Sequence, residues 1–459
     1  MKSASADCSW LITTSRWLVK LLAQRLERER DRNKLFAQIA CQAVDLFTAL
    51  RTPEVLQEVQ EGLLLGLLEA EEQIQKANVR EAHRRKNWGR LTWLDPASHE
   101  RRGRHLRLAQ LLASIFHERR NIIRQCGDAL AWLLLHHNPR QFEALFSASR
   151  NHHLTRGLGL DGVRNVLRSA HETGKFLALN ADLTRCLGFG DIVVIPTEGR
   201  WIRPLVYEVK THRLGAEVEI ELFAHRIHHP IDEQFDLSFY EALNFQEGVA
   251  KKLTSRAERQ WNELGERARM LIDFTHGIVS NVPVRSGRWR KVVKVVIEKA
   301  LHYGTAYDCP EPNLVYRAFR RDQAPPTKRG PSSTAELIVN EALMPSGSRP
   351  AWLSTDQFIH DDVYSKAIPP VALWDLPRPV RCAVLTGDVI LICVWDFSVW
   401  KAEFERLGIS FTDVDGAWQL SLGETKAHLD LIEVRTVLGA VAFAGASPRD
   451  VVSSLAKSL

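Results

Sequence analysis

Two short apolar runs constrain this chain most: Gly190-Asp191-Ile192-Val193-Val194-Ile195 and Pro204-Leu205-Val206-Tyr207-Glu208-Val209-Lys210-Thr211. Both read as buried strands bounded by turn signals. Pro196-Thr197-Glu198-Gly199-Arg200 between them is turn chemistry, so the pair forms a hairpin. Residues i and i+2 of a strand share a face, so Glu208 and Lys210 project together while Val209 points away. Asp191 opens the neighbouring strand within reach of both. Charges on buried strands are costly unless they are paired or hold a metal. Two adjacent carboxylates make a hard-oxygen site suited to Mg²⁺ or Mn²⁺. A lysine beside them can orient a water or stabilise charge on a phosphate. This is equipment for metal-assisted phosphodiester cleavage. Taken alone, the two runs are equally an ordinary hairpin with an incidental salt bridge.

The flanking chain bears on that choice. At 459 residues it holds two or three domains. Residues 1–137 read as a helical region. Trp17, Leu18, Leu21, Leu22 and Leu26 recur at helical spacing, and Leu35, Phe36, Ile39, Ala40, Val44 and Phe47 continue the stripe. The charged run Arg28 to Lys34 predicts an exposed or broken stretch. Pro53 starts a second helix, and Leu106–Phe116 and Ile122–Leu135 are expected as two more. Arginines crowd this region at 80, 84, 85, 90, 101, 102, 104, 107, 119, 120 and 124, with Trp88 and Trp93 among them. They are either solvated helix faces or phosphate contacts with stacking platforms.

In the central region, Asn138-Pro139 predicts a helix start, with the helix running to about Ser149. A second helix follows near Asp161 and stops at Thr173-Gly174. Lys175–Asn180 is a strand, followed by the two opening runs. A helical stretch spans about 239–274, and Val292–Ile297 (VVKVVI) is expected as a final strand.

This order of helix, three strands, helix and strand, with its spaced Asp…Glu-x-Lys, resembles the PD-(D/E)xK nuclease superfamily, which includes many restriction endonucleases. Asp191, Glu208 and Lys210 match its motif, with sixteen residues between the first two. The resemblance spans roughly residues 138–300. Gly190 stands where the motif's proline would be. The resemblance implies that Asp191 and Glu208 bind Mg²⁺ or Mn²⁺, with the Val209 carbonyl a further ligand, and that Lys210 positions the attacking water. It also implies a glutamate from the helix before the sheet; Glu143, in the middle of its helix, is favoured over Glu172. Phosphate contacts are expected from Lys251 on the following helix, and from Arg285, Arg288, Arg290 and Lys291 in a basic loop entering the last strand. Nucleases of this kind often serve bacterial defence against foreign DNA. The substrate implied is DNA, with RNA the other candidate. The competing reading is a nucleic-acid-binding or regulatory protein on a degenerate nuclease fold.

His225, His228 and His229 have metal-like spacing, but Pro230 follows at once and histidine pairs recur at 136–137 and 152–153, so they read as polar surface. Residues 322–333 form the best linker, which gives domains at 138–321 and 334–459. The last segment reads as an α/β accessory module. It has a hairpin of Val380–Thr386 with Val389–Trp395, a helix at Trp400–Leu407, a second hairpin around Asp415-Gly416, and a helix after Pro448. This module would serve to recognise a partner protein, to bind nucleic acid or to mediate self-association.

The expected class is therefore α+β and multidomain: a helical N-terminal region, a restriction-endonuclease-like core and a C-terminal α/β module. Seven cysteines without C-x-x-C spacing disfavour a zinc ribbon or a disulfide framework, and with no signal peptide they predict a cytoplasmic protein. A net charge of +6 is compatible with nucleic acid without demanding it.

Overall fold

The computed structural model describes residues 4–88, 96–135, 142, 154, 156–187, 190–197, 204–214, 217–224, 290–311, 314–323, 350–360, 365, 368–414, 417–429, 431–443 and 446–456. The chain is a mixture of helix and sheet, with three small antiparallel sheets. Three long helices come first: α1 (Ala4–Leu50), α2 (Pro53–Trp88) and α3 (Pro96–Leu134). Their buried residues recur at helical spacing, for example Ala37, Ala40, Cys41, Val44 and Phe47 on α1, and Leu56, Val59, Leu63 and Leu67 on α2. The α1–α2 corner turns through Arg51 in the left-handed region (φ 48°), and the Thr52 hydroxyl accepts from the Val55 amide at 3.4 Å.

The charged run 28–34 does not break α1; it is exposed, as one of the two expectations has it, except at Glu29 and Asn33, which are buried. The two helices expected at 106–135 are one. Arg119 of α3 is 3% exposed and donates to Glu29 (2.7 Å) and to Asn33 (2.8 Å) of α1. Asn33 in turn donates to the Ile115 carbonyl at 2.9 Å. Arg120 and Arg124 lie 3.7 and 3.8 Å from Glu71 of α2. These three arginines bind the bundle together rather than facing a phosphate. The charges that look like interruptions in one dimension are the polar layer of a helix–helix interface.

The second unit begins with α4 (Leu158–Glu172), closed by Gly174 at φ 68°. A four-stranded sheet follows in the order β1 (Phe176–Asn180), β2 (Ile192–Pro196), β3 (Leu205–Leu214), β4 (Glu217–Ala224). α4 packs Val163, Val166, Leu167 and Ala170 onto the face carrying Ala178, Ile192, Val194, Leu205, Tyr207 and Val209. Leu179, Val193 and Val206, on the other face, join the large core shared with α2 and α3. The open edge of β1 is closed by Gln60 of α2, which donates to the Ala178 carbonyl (3.0 Å) and accepts from the Asn180 amide (3.1 Å). A side-chain amide thus takes the place of a neighbouring strand.

Val292–Ile297, expected as a strand, lies instead in helix α5 (Arg290–Tyr303). Val293, Val296, Ile297 and Ala300 are its buried residues, a helical period that the β-branched run conceals. α5 packs on β5 (Thr305–Glu311) and β6 (Leu314–Arg320). The second sheet runs β5-β6-β8-β7, with β7 at Pro350–Ser354 and β8 at Val389–Asp396. Its strands come from both sides of the 322–333 linker: Leu314 to Arg320 pair antiparallel with Trp395 to Val389. Helix α6 (Thr355–His360) follows β7. Val380–Leu385, expected as the first strand of a hairpin, belongs to helix α7 (Arg378–Leu385), whose Arg381 donates to Asp45 of α1 at 2.8 Å.

The C-terminal part has α8 (Phe397–Arg406), a third sheet β11-β10-β9 from β9 (Ser410–Val414), β10 (Ala417–Leu422) and β11 (Thr425–Leu429), then α9 (Leu431–Ala442) and α10 (Pro448–Ala456). The second hairpin and the last helix lie where the sequence places them; β11 is additional. Trp132 of α3 donates to the Ser365 carbonyl at 2.9 Å, and Gln125 accepts from the Val371 amide at 3.1 Å. The helical region is therefore packed against the C-terminal part.

The expected helices at 138–149 and 239–274, and the histidines at 225, 228 and 229, lie outside the described residues.

His171 at the end of α4 is 1% exposed and accepts from the Ala178 amide at 3.1 Å. Burial holds its pKa down to about 4, so the ring is neutral in the folded state. Its contribution is complete above the unfolded value near 6.5 and is lost as pH falls from there toward 4, about 3 kcal/mol at most. Denaturant titrations at pH 7 and pH 4.5 should show this loss in the native chain, and a shallower one in His171→Gln.

Candidate active site

Three backbone and side-chain bonds place Asp191. Its amide donates to the Tyr207 carbonyl at 2.7 Å, and its carbonyl accepts from the Ala181 amide at 2.9 Å. Its Oδ2 accepts from the Val209 amide at 2.7 Å. Asp191 therefore holds the peptides on both sides of Glu208. Lys210 donates from Nζ to Glu208 Oε1. Glu208 and Lys210 lie on the Val206 face by strand alternation. Their side chains are 19% and 40% exposed, so the cluster sits at the rim of the large core and opens to solvent.

Gly190 explains the departure from the proline expected at this position. Its φ is 64°, which a proline ring forbids. A Cβ there would lie 2.2 Å from Val206 Cγ1 and 2.9 Å from the Tyr207 carbonyl. The glycine lets the chain enter β2 tightly enough for the Asp191 carboxylate to reach β3.

Upstream, the segment leading to Asp191 is anchored by Asp128 of α3, which is fully buried. It accepts from the Arg185 amide (2.6 Å), the Cys186 amide (3.0 Å) and Arg185 Nε (2.9 Å). Arg185 also donates to the Ile359 carbonyl of α6. Gly127 permits this approach: a Cβ would sit 2.0 Å from the Leu183 carbonyl. This anchor is invisible in sequence, since Asp128 and Arg185 are far apart and neither belongs to a motif.

Of the other expected site residues, Val209 contributes its amide to Asp191. Glu172 is exposed on α4, which covers the face opposite Glu208, so the fold does not bring it to the cluster. Glu143, Lys251, Arg285 and Arg288 lie outside the described residues. Arg290 and Lys291 begin α5 rather than a loop entering a strand; Arg290 lies 3.9 Å from Asp375 and Lys291 is exposed. Sequence reading also missed β4. Its Glu221 stands opposite Lys210 in register and Glu219 opposite His212. The alternation Glu217-Val218-Glu219-Ile220-Glu221 was the available signal.

Among the described residues no group of three or more His, Cys, Asp and Glu side chains forms a metal site. Asp191 and Glu208 supply two hard carboxylates, a donor set that suits Mg²⁺, which usually keeps several waters and takes its remaining ligands from substrate. Comparison of the chain with family models, curated proteins and solved structures returns no match.

Gly190→Ala should destabilise the protein by about 2–5 kcal/mol, from the left-handed backbone and the contact with Val206 together. A denaturant titration measures this, and a loss below ~1 kcal/mol would contradict the tight entry.

Proposed function

We propose that the protein is a divalent-metal-dependent nuclease that hydrolyses phosphodiester bonds of DNA, in the manner of PD-(D/E)xK enzymes. One observation carries the reading: Asp191 is bonded to the peptides flanking Glu208 while Lys210 reaches the Glu208 carboxylate. Two acids and one base from adjacent strands on one face of the sheet, at a partly exposed rim, support the reading.

Asp191 and Glu208 are the residues that would hold Mg²⁺ or Mn²⁺. When bound, such an ion polarises the phosphoryl oxygen and neutralises charge on the leaving oxygen. The Val209 amide keeps the Asp191 carboxylate oriented toward β3. Lys210 holds its ammonium beside Glu208, where it orients the attacking water and offsets phosphate charge. Glu221, opposite Lys210 in register, adds a third acidic position on the same stretch of sheet. A role in defence against foreign DNA belongs to this proposal through the resemblance alone.

Purified protein should nick supercoiled plasmid in Mg²⁺ or Mn²⁺ and not in excess chelator. Glu208→Ala and Lys210→Ala should each reduce cutting at least ~100-fold, with DNA retention in gel shifts unchanged. Binding without cutting in any metal would favour a degenerate nuclease fold, and RNA cleavage in place of DNA cleavage would change the substrate. Absence of both binding and cutting at low salt would overturn the proposal.

A further inference from the structure

A cavity of about 360 Å³ lies between the N-terminal helices and the C-terminal part, away from the Asp191 cluster in sequence and sheet. α1 and α3 wall one side; α6, the end of α7 and the start of β8 wall the other. Its lining includes the apolar side chains of Leu111 and Ile115 from α3 and of Ile359 and Ile390 from α6 and β8. A volume near the low end of the roughly 300–1,000 Å³ typical of ligand pockets admits one small molecule and excludes a polymer strand.

Its polar groups differ in how far they are already engaged within the protein. Asn121 is 9% exposed and lines the cavity, and its carboxamide has no hydrogen-bond partner among the described residues. The carboxamide opens onto the cavity, where it is available to a bound molecule. Glu118, one turn earlier on α3, is 19% exposed and lies 3.9 Å from Arg321. Burial pushes its carboxyl up to about 7, against the lowering effect of Arg321 and Arg30 and with the support of Asp388. At neutral pH it can therefore donate or accept. Arg30 and Arg321 bring two guanidinium groups to the same cavity. The remaining ionisable pair, His360 and Asp356, is engaged with itself: His360 Nδ1 lies 2.6 Å from the Asp356 carbonyl and 3.7 Å from its carboxylate. The hydroxyls of Thr355, Thr386 and Ser114 are already bonded to backbone.

We propose that this cavity binds a single nucleoside monophosphate. The apolar side chains of the lining fit a flat heteroaromatic ring. A carboxamide next to a carboxyl matches the alternating donors and acceptors of a base edge. Two arginines match a phosphate, which they recognise bidentately. The ligand would bridge α1 and α3 to α6 and β8, so binding tightens the junction between the two halves of the chain.

The proposal is independent of the nuclease reading, because its test uses no nucleic acid and no catalysis. Full-length protein is titrated calorimetrically and melted with AMP, GMP, CMP and UMP, the corresponding nucleosides, and inorganic phosphate. At least one nucleotide should bind at one site per chain and raise the melting temperature, with its nucleoside and free phosphate each at least ~10-fold weaker. Arg30→Ala and Arg321→Ala, both at partly exposed positions, should weaken the nucleotide at least ~10-fold and leave the nucleoside unchanged. Asn121→Ala should weaken nucleotide and nucleoside alike. Failure of all four nucleotides to bind at millimolar concentration overturns the proposal. So does binding that is indifferent to both arginine substitutions, or phosphate alone binding as tightly as a nucleotide.

Discussion

The buried carboxylate of Asp128 organises this molecule. An unpartnered charge at that depth would cost several kcal/mol, and three donors from two consecutive residues, Arg185 and Cys186, satisfy it. The guanidinium that pairs with it reaches on to the Ile359 carbonyl, so α3, the turn before β2 and α6 meet at one ion pair. Every other placement near the cluster follows from it. The turn is fixed by Asp128, Ala181 in that turn donates to Asp191, and Asp191 clasps β3 around Glu208. Because the pair is made by residues outside the sheet, the sheet itself can leave its acidic rim open to solvent.

The sheet resolves a conflict between burial and charge by using its two faces differently. The α4 side carries an apolar cluster that runs from Phe176 to Val209. The opposite side is apolar only where α2 and α3 cover it, at Leu179, Val193 and Val206, and turns polar two residues further along β3. The change occurs within a single strand, β3, between Val206 and Glu208. Polar groups there keep partial hydration, which lowers the cost of holding two acids and a lysine together.

How much was legible depended on whether the deciding force was local. Pro53 at a helix start and Gly174 as a helix stop are chemistry contained in a few residues and lie where the sequence indicates, and the strands flanking the turn signals at 196–200 and 415–416 pair antiparallel as expected. Asp191, Glu208 and Lys210 could be paired because strand alternation is strict. The errors fall where tertiary contacts override local preference. VVKVVI is β-branched and reads as strand, yet its buried set Val293, Val296, Ile297 and Ala300 shows that the sheet beneath it selected a helix. Val380–Leu385 was misread in the same way. β4 was missed because three alternating glutamates depress strand propensity while preserving strand period. Arg119 looked like surface because its partners, Glu29 and Asn33, lie on another helix. Linker composition at 322–333 likewise carries no information about which strands pair across it.

That last pairing shapes how the protein can be made. β6 has β5 on one side, but its other edge is filled only by β8, whose residues emerge from the ribosome some seventy positions later. Until then a strand bearing Leu314, Tyr316 and Ala318 stands with a bare apolar flank, the kind of edge that recruits other chains. A fragment cut within 322–333 would make that interval permanent. Such a piece would keep the Asp191 cluster and yet be poorly soluble, for a reason unrelated to catalysis.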